Sequence, residues 1–177
     1  MDYGSLNGHP FFCTCGIGFD AEVSKRFADS KTRGVITYVE KILQEALTHK
    51  DESLYINIGN ESEEVEAFIL TCANAGQWGN NVYIAPQASV SDGWLDVTIL
   101  TPFSAMDIPL LAYHLFNRQI DKNKKIISHR CTSLSIKRNS KGYAHIDGEP
   151  IEVEKDINIE IIPKGLKVAV PSKNRRI

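Results

Sequence analysis

Two hydrophobic periods alternate along this chain, one helical and one of period two. Residues 9–15 carry aromatic rings and thiols and read as a buried strand, which Gly16-Ile17-Gly18 interrupts. Asp20 then opens a helix that runs to about residue 28. Val35, Val39, Ile42 and Ala46 recur at helical spacing, with Ile36, Leu43 and Leu47 beside them, and predict a helix over 34–48. Leu54, Ile56 and Ile58 alternate with Tyr55 and Asn57, the pattern of a half-buried strand. A solvated acidic turn at 60–64 leads into 65–73, apolar on both faces after Glu66, as in a central strand. The two runs predict a hairpin.

The Gly- and Asn-rich segment 74–81 reads as a loop and 82–85 as a short strand. Asp92-Gly93 is a tight-turn signal. After it, Leu95, Val97 and Ile99 fall on one face and Asp96, Thr98 and Leu100 on the other, until Pro102 ends the strand. Ile108, Leu111, Ala112, Leu115 and Phe116 mark a helix over 104–117, with Pro109 in its first turn or kinking it. A basic connection at 122–125 leads to an all-β remainder, with strands predicted at 131–138, 143–147, 150–154, 156–162 and 166–170 and turns at 139–142 and Asp147-Gly148. Two or three helices among so many short strands predict an α+β domain, mainly antiparallel, built as a sandwich or distorted barrel over residues 1–170, with 171–177 as a tail.

Composition narrows the function classes. The chain has 177 residues and a net charge of −2, so it is not an electrostatic nucleic-acid binder as a whole. No apolar run approaches the ~20 residues that cross a bilayer, and the start lacks the layout of a signal peptide. The expected setting is therefore cytoplasmic, with any membrane contact peripheral. Cys13, Cys15, Cys72 and Cys131 form no C-x-x-C pair, and the histidines do not supply zinc-site spacing. Buried free thiols in a reducing compartment are expected. The lysines at 122–125 and Arg175-Arg176 could touch anionic headgroups or simply be solvated.

Three acidic bends carry candidate chemistry. Asp147-Gly148-Glu149 lies between two strands. Carboxylates two apart share a side if extended, which suits a magnesium-nucleotide, and either could accept an alcohol proton; a plain Asp-Gly hairpin is the other reading. Asp92, with nearby carbonyls, could hold a hard cation or merely start a turn, and Asp96 could pair at the strand edge. Gly16-Ile17-Gly18-Phe19-Asp20 follows a strand and opens a helix. Its amides could face an anion, or Asp20 could be the helix N-cap. The 74–81 loop offers amides and carboxamides for polar recognition. There is no Walker-type loop, His-Glu-x-x-His helix or serine elbow.

These segments resemble, in order, three motifs of the diacylglycerol kinase and sphingosine kinase group of lipid kinases. Phe12-Cys13-Thr14-Cys15-Gly16-Ile17-Gly18-Phe19-Asp20-Ala21-Glu22-Val23 is similar to f-n-x-a-G-x-G-f-D-A-x-v. The stretch from Ala85-Pro86 through Asp92-Gly93-Trp94-Leu95-Asp96-Val97 is similar to a-P-x-A-x-x-x-D-G-x-L-D-v, and Asp147-Gly148-Glu149 to D-G-E. The likeness runs over about residues 4–170. It departs at Gly79-Asn80-Asn81, where the family often has a run of glycines.

The resemblance implies the C-terminal, β-rich half of a two-domain kinase that phosphorylates a hydroxyl of a diacylglycerol-like or sphingoid lipid. The G-G-D-G-T segment of the family's ATP-binding half does not occur in the chain, so these residues alone are expected to be inactive, and Asp2-Tyr3-Gly4 reads as the end of an interdomain connection. By resemblance, Asp147 is the general base, and Glu149 helps hold the magnesium-nucleotide. Asp92 is a Mg²⁺ ligand together with main-chain oxygens of Ser89 and Trp94. Gly16, Gly18, Asp20 and Asp96 are architecture. ATP and Mg²⁺ are the implied cofactors; lipid and ATP are the implied partners, and a homodimer is compatible with the sequence. A kinase of the NAD/polyphosphate type and a lipid-binding module without chemistry remain the alternatives.

Overall fold

The computed structural model describes residues 1–29, 46, 49, 51–79 and 81–169. The helix expected over 34–48 lies almost wholly outside these residues. The described chain forms two six-stranded antiparallel sheets. One has the order β2-β1-β14-β11-β4-β5 and the other β10-β9-β6-β3-β12-β13. Neither closes into a barrel, so of the two expected architectures the sandwich is the one formed. The strands of the first sheet are β1 (Tyr3–Leu6), β2 (His9–Phe11), β4 (Glu52–Ile58), β5 (Glu61–Ala67), β11 (Ser133–Arg138) and β14 (Asp156–Ile162). Those of the second are β3 (Thr14–Gly18), β6 (Ile69–Ala73), β9 (Leu95–Leu100), β10 (Ile126–Cys131), β12 (Gly142–Ile146) and β13 (Glu149–Val153). A small ribbon pairs β7 (Gln77–Gly79) with β8 (Val82–Tyr83). The helices are α1 (Phe19–Asp29) and α2 (Ile108–Phe116).

Apolar patterning explains the layers. Leu6, Phe11, Ile56, Leu134, Ile136, Ile157 and Ile159 of the first sheet interleave with Cys15, Ile17, Leu70, Cys72, Val97 and Ile99 of the second. A second core lies on the far side of the second sheet. There Phe19, Phe68, Ile69, Ala73, Ile84, Leu100, Leu111 and Ile120 pack together. The second sheet is thus covered on both faces, which is why every residue of β3 and β6 is buried.

Several boundaries differ from the sequence-based expectation, each for a local reason. The run 9–15 is two strands, bent at Phe12-Cys13, and Gly16-Ile17-Gly18 does not break β3 but lies inside it, paired with β6 and β12. Residues 2–4 are tied into the fold. Asp2 is buried, its carboxylate accepts the Gly93 and Lys164 amides at 2.7 Å each, and β1 starts at Tyr3. The acidic segment at 60–64 is a turn only at Gly59-Asn60; from Glu61 it is the edge strand β5, with glutamates facing solvent and Val65 and Ala67 facing inward. The expected long strand over 65–73 breaks at Phe68, where the chain passes between sheets. The expected strand 131–138 begins earlier and divides at Thr132 into β10 and β11. Nor is 82–85 a full strand, since β8 ends at Tyr83. No strand forms over the described part of 166–170; Leu166 exchanges hydrogen bonds only with Met1 and, like Val168, stays exposed.

Candidate functional site

The β12–β13 hairpin closes through a two-residue turn in which Asp147 (φ 50) and Gly148 (φ 90) are both left-handed. That geometry belongs to a type I′ turn, which Asp-Gly favours. It projects the Asp147 carboxylate across to the bend between β2 and β3. Oδ2 accepts the Phe12 amide at 2.8 Å; Oδ1 accepts the Cys13 and Thr14 amides at 2.7 and 3.0 Å. A carboxylate offers about four acceptor positions. Among the described residues three are filled, and the fourth, on Oδ2, is left for a further donor. From the other side, Asn74 donates to the Phe12 carbonyl at 2.8 Å, and the Asn74 and Ala75 amides donate to the Cys13 carbonyl at 2.9 and 3.0 Å. The start of the 74–81 loop is therefore a brace.

His145 lies two residues before Asp147, on the face of β12 that looks toward α1. Its Nε2 sits 3.0 Å from Asp20 Oδ2, which also accepts from Thr71 Oγ1 at 3.2 Å. Asp20 Oδ1 takes the Ala21 amide at 2.8 Å. Asp20 is thus inside the first turn of α1 and serves the histidine as well as the helix. Asp20 and Glu22 already place negative charge at this helix start, which disfavours the anion site considered from sequence. The pair fits only because residue 16 is glycine. A Cβ there would lie 2.5 Å from Asp20 Oδ2 and 2.8 Å from His145 Nε2. The His145 Nδ1 atom is buried and has no hydrogen-bond partner among the described residues.

Burial opposes the imidazolium, but the Asp20 charge and hydrogen bond, joined by the Asp147 charge, prevail and raise the His145 pKa above its ordinary value. A raised folded-state pKa stabilises the fold below the unfolded value and loses that contribution as pH climbs through the folded one. The expected outcome is that wild type exceeds His145→Gln in stability most at pH values under about 6.5. The margin should shrink as pH rises past that point; urea melts across pH check it.

These residues form one end of a cavity of about 1000 Å³. Cys13, Thr14, Asp20, Ser24, His145 and Asp147 line it at this end. Apart from Gln77 the rest of the wall is apolar, with Phe19, Phe68, Trp78, Leu100, Phe103 and Leu111 among its residues and α2 contributing Ile108, Ala112 and Leu115. No lysine or arginine lines it among the described residues. Cys13 is the one exposed thiol of the four, against the expectation that all are buried. Burial first, and then the Asp147 charge, raise its pKa, so it is not an activated nucleophile. Cys131 is pushed up to about 12, chiefly by burial.

The other predicted residues lie apart from this lining. Glu149 is exposed on β13, just past the turn. Asp92 pairs with Arg130 through Oδ2 and accepts the Trp94 amide on Oδ1 at 3.1 Å. Arg130 also reaches Asp96 Oδ1 at 3.8 Å and lies over the Trp94 ring. Burial, countered by Arg130 and reinforced by Asp92, raises the Asp96 pKa. Arg130 thus supplies the positive charge that a cation would bring to this bend. As arranged, Asp92 is ion-paired with the guanidinium, and the described residues hold no cluster of three metal-ligating side chains. A Cβ at Gly16 would meet Asp20 and His145, and one at Gly18 the Phe68 carbonyl. Sequence reasoning missed His145 and the α2 wall. The signal for His145 was its place two residues before Asp147, on the strand that leads into the Asp-Gly turn.

Comparison with known proteins agrees with this architecture. A probable lipid kinase, YegS-like, of Shewanella frigidimarina is 27% identical over 176 residues, covering 97% of this chain and 55% of that protein. An uncharacterized Synechocystis protein is 26% identical over 183 residues, covering 98% of this chain and 42% of its own length. The chain therefore spans about half the length of these relatives. A crystal structure of a diacylglycerol kinase from Bacillus anthracis superposes with a TM-score of 0.59 at 16% identity, covering 92% of this chain and 50% of that one, a likeness of fold. The family described as the YegS C-terminal NAD kinase beta sandwich-like domain matches residues 13–170. Two apolar-cored sheets, a bent β2–β3 connection held by an Asp-Gly turn, and this match over most of the sequence lead to one conclusion: the chain belongs to the family of the YegS C-terminal NAD kinase beta sandwich-like domain.

Proposed function

We infer that the chain is the lipid-binding half of an ATP-dependent kinase that phosphorylates a hydroxyl of a diacylglycerol-like or sphingoid lipid. The observation that supports this most is the cavity, apolar along its walls and carboxylate- and imidazole-lined at one end. Its volume of about 1000 Å³ is at the top of the ~300–1,000 Å³ range of small-molecule sites. An amphiphile would lay its chains along Phe19, Phe68, Leu100 and Leu111 and bring its hydroxyl to Asp147. There the vacant Oδ2 position accepts the alcohol proton as the oxygen bonds to phosphorus and ADP departs. The three backbone donors fix the carboxylate's orientation, so little rearrangement accompanies transfer. Glu149, exposed on β13 just past the turn, would help hold a magnesium-nucleotide. That group supplies the phosphoryl donor and offsets its charge. Most ATP contacts would come from a separate domain, and the setting would be cytoplasmic with peripheral membrane contact.

NAD as the acceptor fits the cavity less well. A dinucleotide diphosphate calls for cations, and none lines the wall among the described residues. The test feeds radiolabelled ATP to a full-length protein with dioctanoylglycerol, a short sphingoid base, or NAD. Lipid phosphate is expected from the full-length protein and none from residues 1–177 alone. NADP as the product would replace this reading with the NAD-kinase one.

A further inference from the structure

The α2 helix, Ile-Pro-Leu-Leu-Ala-Tyr-His-Leu-Phe, carries no charged residue other than the titratable His114. A short helix that is apolar all round is ordinarily buried. This one is buried on one side only. Ile108, Leu111, Ala112 and Leu115 line the cavity. On the opposite side Leu110, Tyr113 and Phe116 are 55%, 55% and 60% exposed, and Met106, one turn earlier, is 90% exposed. Residues 106, 110 and 113 recur at helical spacing, with exposed Pro109 and Phe116 beside them. Scattered surface apolar residues need no explanation, but a contiguous set on one helix does.

The chain around this face is basic. Arg118, Lys122 and Lys124 are exposed and Lys125 is partly so, against two carboxylates, Asp107 and Asp121, in a molecule of net charge −2 overall. Asp107 is turned onto the Ser104 amide and hydroxyl. The nine-residue length of α2 is far short of a bilayer span, and no helix among the described residues is long and apolar enough to cross one. It suits a helix lying in the plane of the headgroups, with aromatic and aliphatic side chains below and cations beside them.

We propose that α2 is a membrane-docking helix: Met106, Leu110, Tyr113 and Phe116 enter the outer layer of an anionic bilayer, with Arg118, Lys122 and Lys124 against its headgroups. Charge decides between a bilayer and a second copy of the chain. Two copies meeting symmetrically through this face would bring like-charged basic flanks together, whereas an anionic surface complements them. The same helix is a wall of the lipid cavity, so docking sets that cavity against the phase in which a long-chain lipid resides. The proposal rests in this last respect on the lipid-substrate reading.

The test measures cosedimentation of residues 1–177 with vesicles of phosphatidylcholine alone and of phosphatidylcholine mixed with phosphatidylglycerol. Binding is expected to the mixed vesicles and to weaken with added salt. Leu110→Ser and Phe116→Ser should each lower it about tenfold, and Lys122→Gln and Lys124→Gln about fivefold each. All four positions are exposed, so circular dichroism should report an unchanged fold. No binding to mixed vesicles, or binding indifferent to Leu110 and Phe116, overturns the proposal. So does a wild-type dimer in light scattering that Leu110→Ser converts to monomer. Soluble dioctanoylglycerol, followed by the fluorescence of cavity-lining Trp78, separates the two readings. If it binds while vesicles do not, docking is wrong and the substrate reading stands. Vesicle binding without it leaves docking standing and removes the substrate reading.

Discussion

Replacing Asp147 by Asn should lower lipid phosphorylation by about 100-fold or more while the protein stays folded. The rate argument is that an amide cannot accept the alcohol proton, and loss of a general base typically forfeits about 10²–10⁴ in rate. The folding argument starts from the backbone. Asp147 sits at φ 50, a conformation that Asn tolerates better than most residues. The Asn oxygen can still take the two amides that Oδ1 now holds, Cys13 and Thr14. Its NH₂ group would face the Phe12 amide, which now donates to Oδ2, and one such lost contact at an exposed site costs about 1–3 kcal/mol. A full-length protein assayed for lipid phosphate, with a thermal melt alongside, measures both. Turnover near wild type would remove Asp147 as the base and leave it as the clasp of the β2–β3 bend, the non-catalytic lipid-binding alternative.

Gly18→Ala should destabilise the chain by about 2–6 kcal/mol, combining about 1–3 for left-handed strain with about 1–3 for overpacking. Gly18 has φ +101 and ends β3 where α1 begins, and a Cβ there would lie 2.5 Å from the Phe68 carbonyl oxygen and 3.1 Å from the Ile69 Cα. Both obstacles are backbone. The Phe68 carbonyl accepts the Phe19 amide at 3.0 Å, and Ile69 is paired with Gly18 itself, so neither can move without opening the ladder. Gly8→Ala is the control. Gly8 has φ +86 but nothing within 4 Å of its missing Cβ, so it should show the backbone part alone. Melting temperatures give the comparison, at about 2–4 °C per kcal/mol for a chain of this size.

A continuous apolar run flanked by turn residues forecast β6, because burial on both faces leaves that mark, and the spacing of Leu95, Val97 and Ile99 forecast β9, although Thr98 and Leu100 on its other face are buried too. The Asp147-Gly148 turn was legible for a similar reason: its backbone demands that residue pair. Residues 166–170 show the converse. Leu166 and Val168 alternate well, yet no neighbouring strand takes them up, and alternation alone does not supply a partner. β5 was hidden because an edge strand tolerates charge on its solvent side, so its glutamates imitate a turn. Motif resemblance gave Asp147 its candidate role but not its three amide partners, which lie 133 to 135 residues away in sequence. The Asp20–His145 contact spans 125 residues and exists because strand pairing sets β12 beside β3. Such a pairing has no signature in either segment alone.

The outermost strands carry one more consequence. β5 presents Glu61, Glu63, Glu64 and Glu66 along its border, while β2 contains Pro10 and β13 contains Pro150, each lacking an amide hydrogen. Of the four borders of the two sheets, three are thereby poor templates for annealing to a neighbour's backbone. Ribbon-like polymerisation at high concentration is left the β10 border as its least obstructed route.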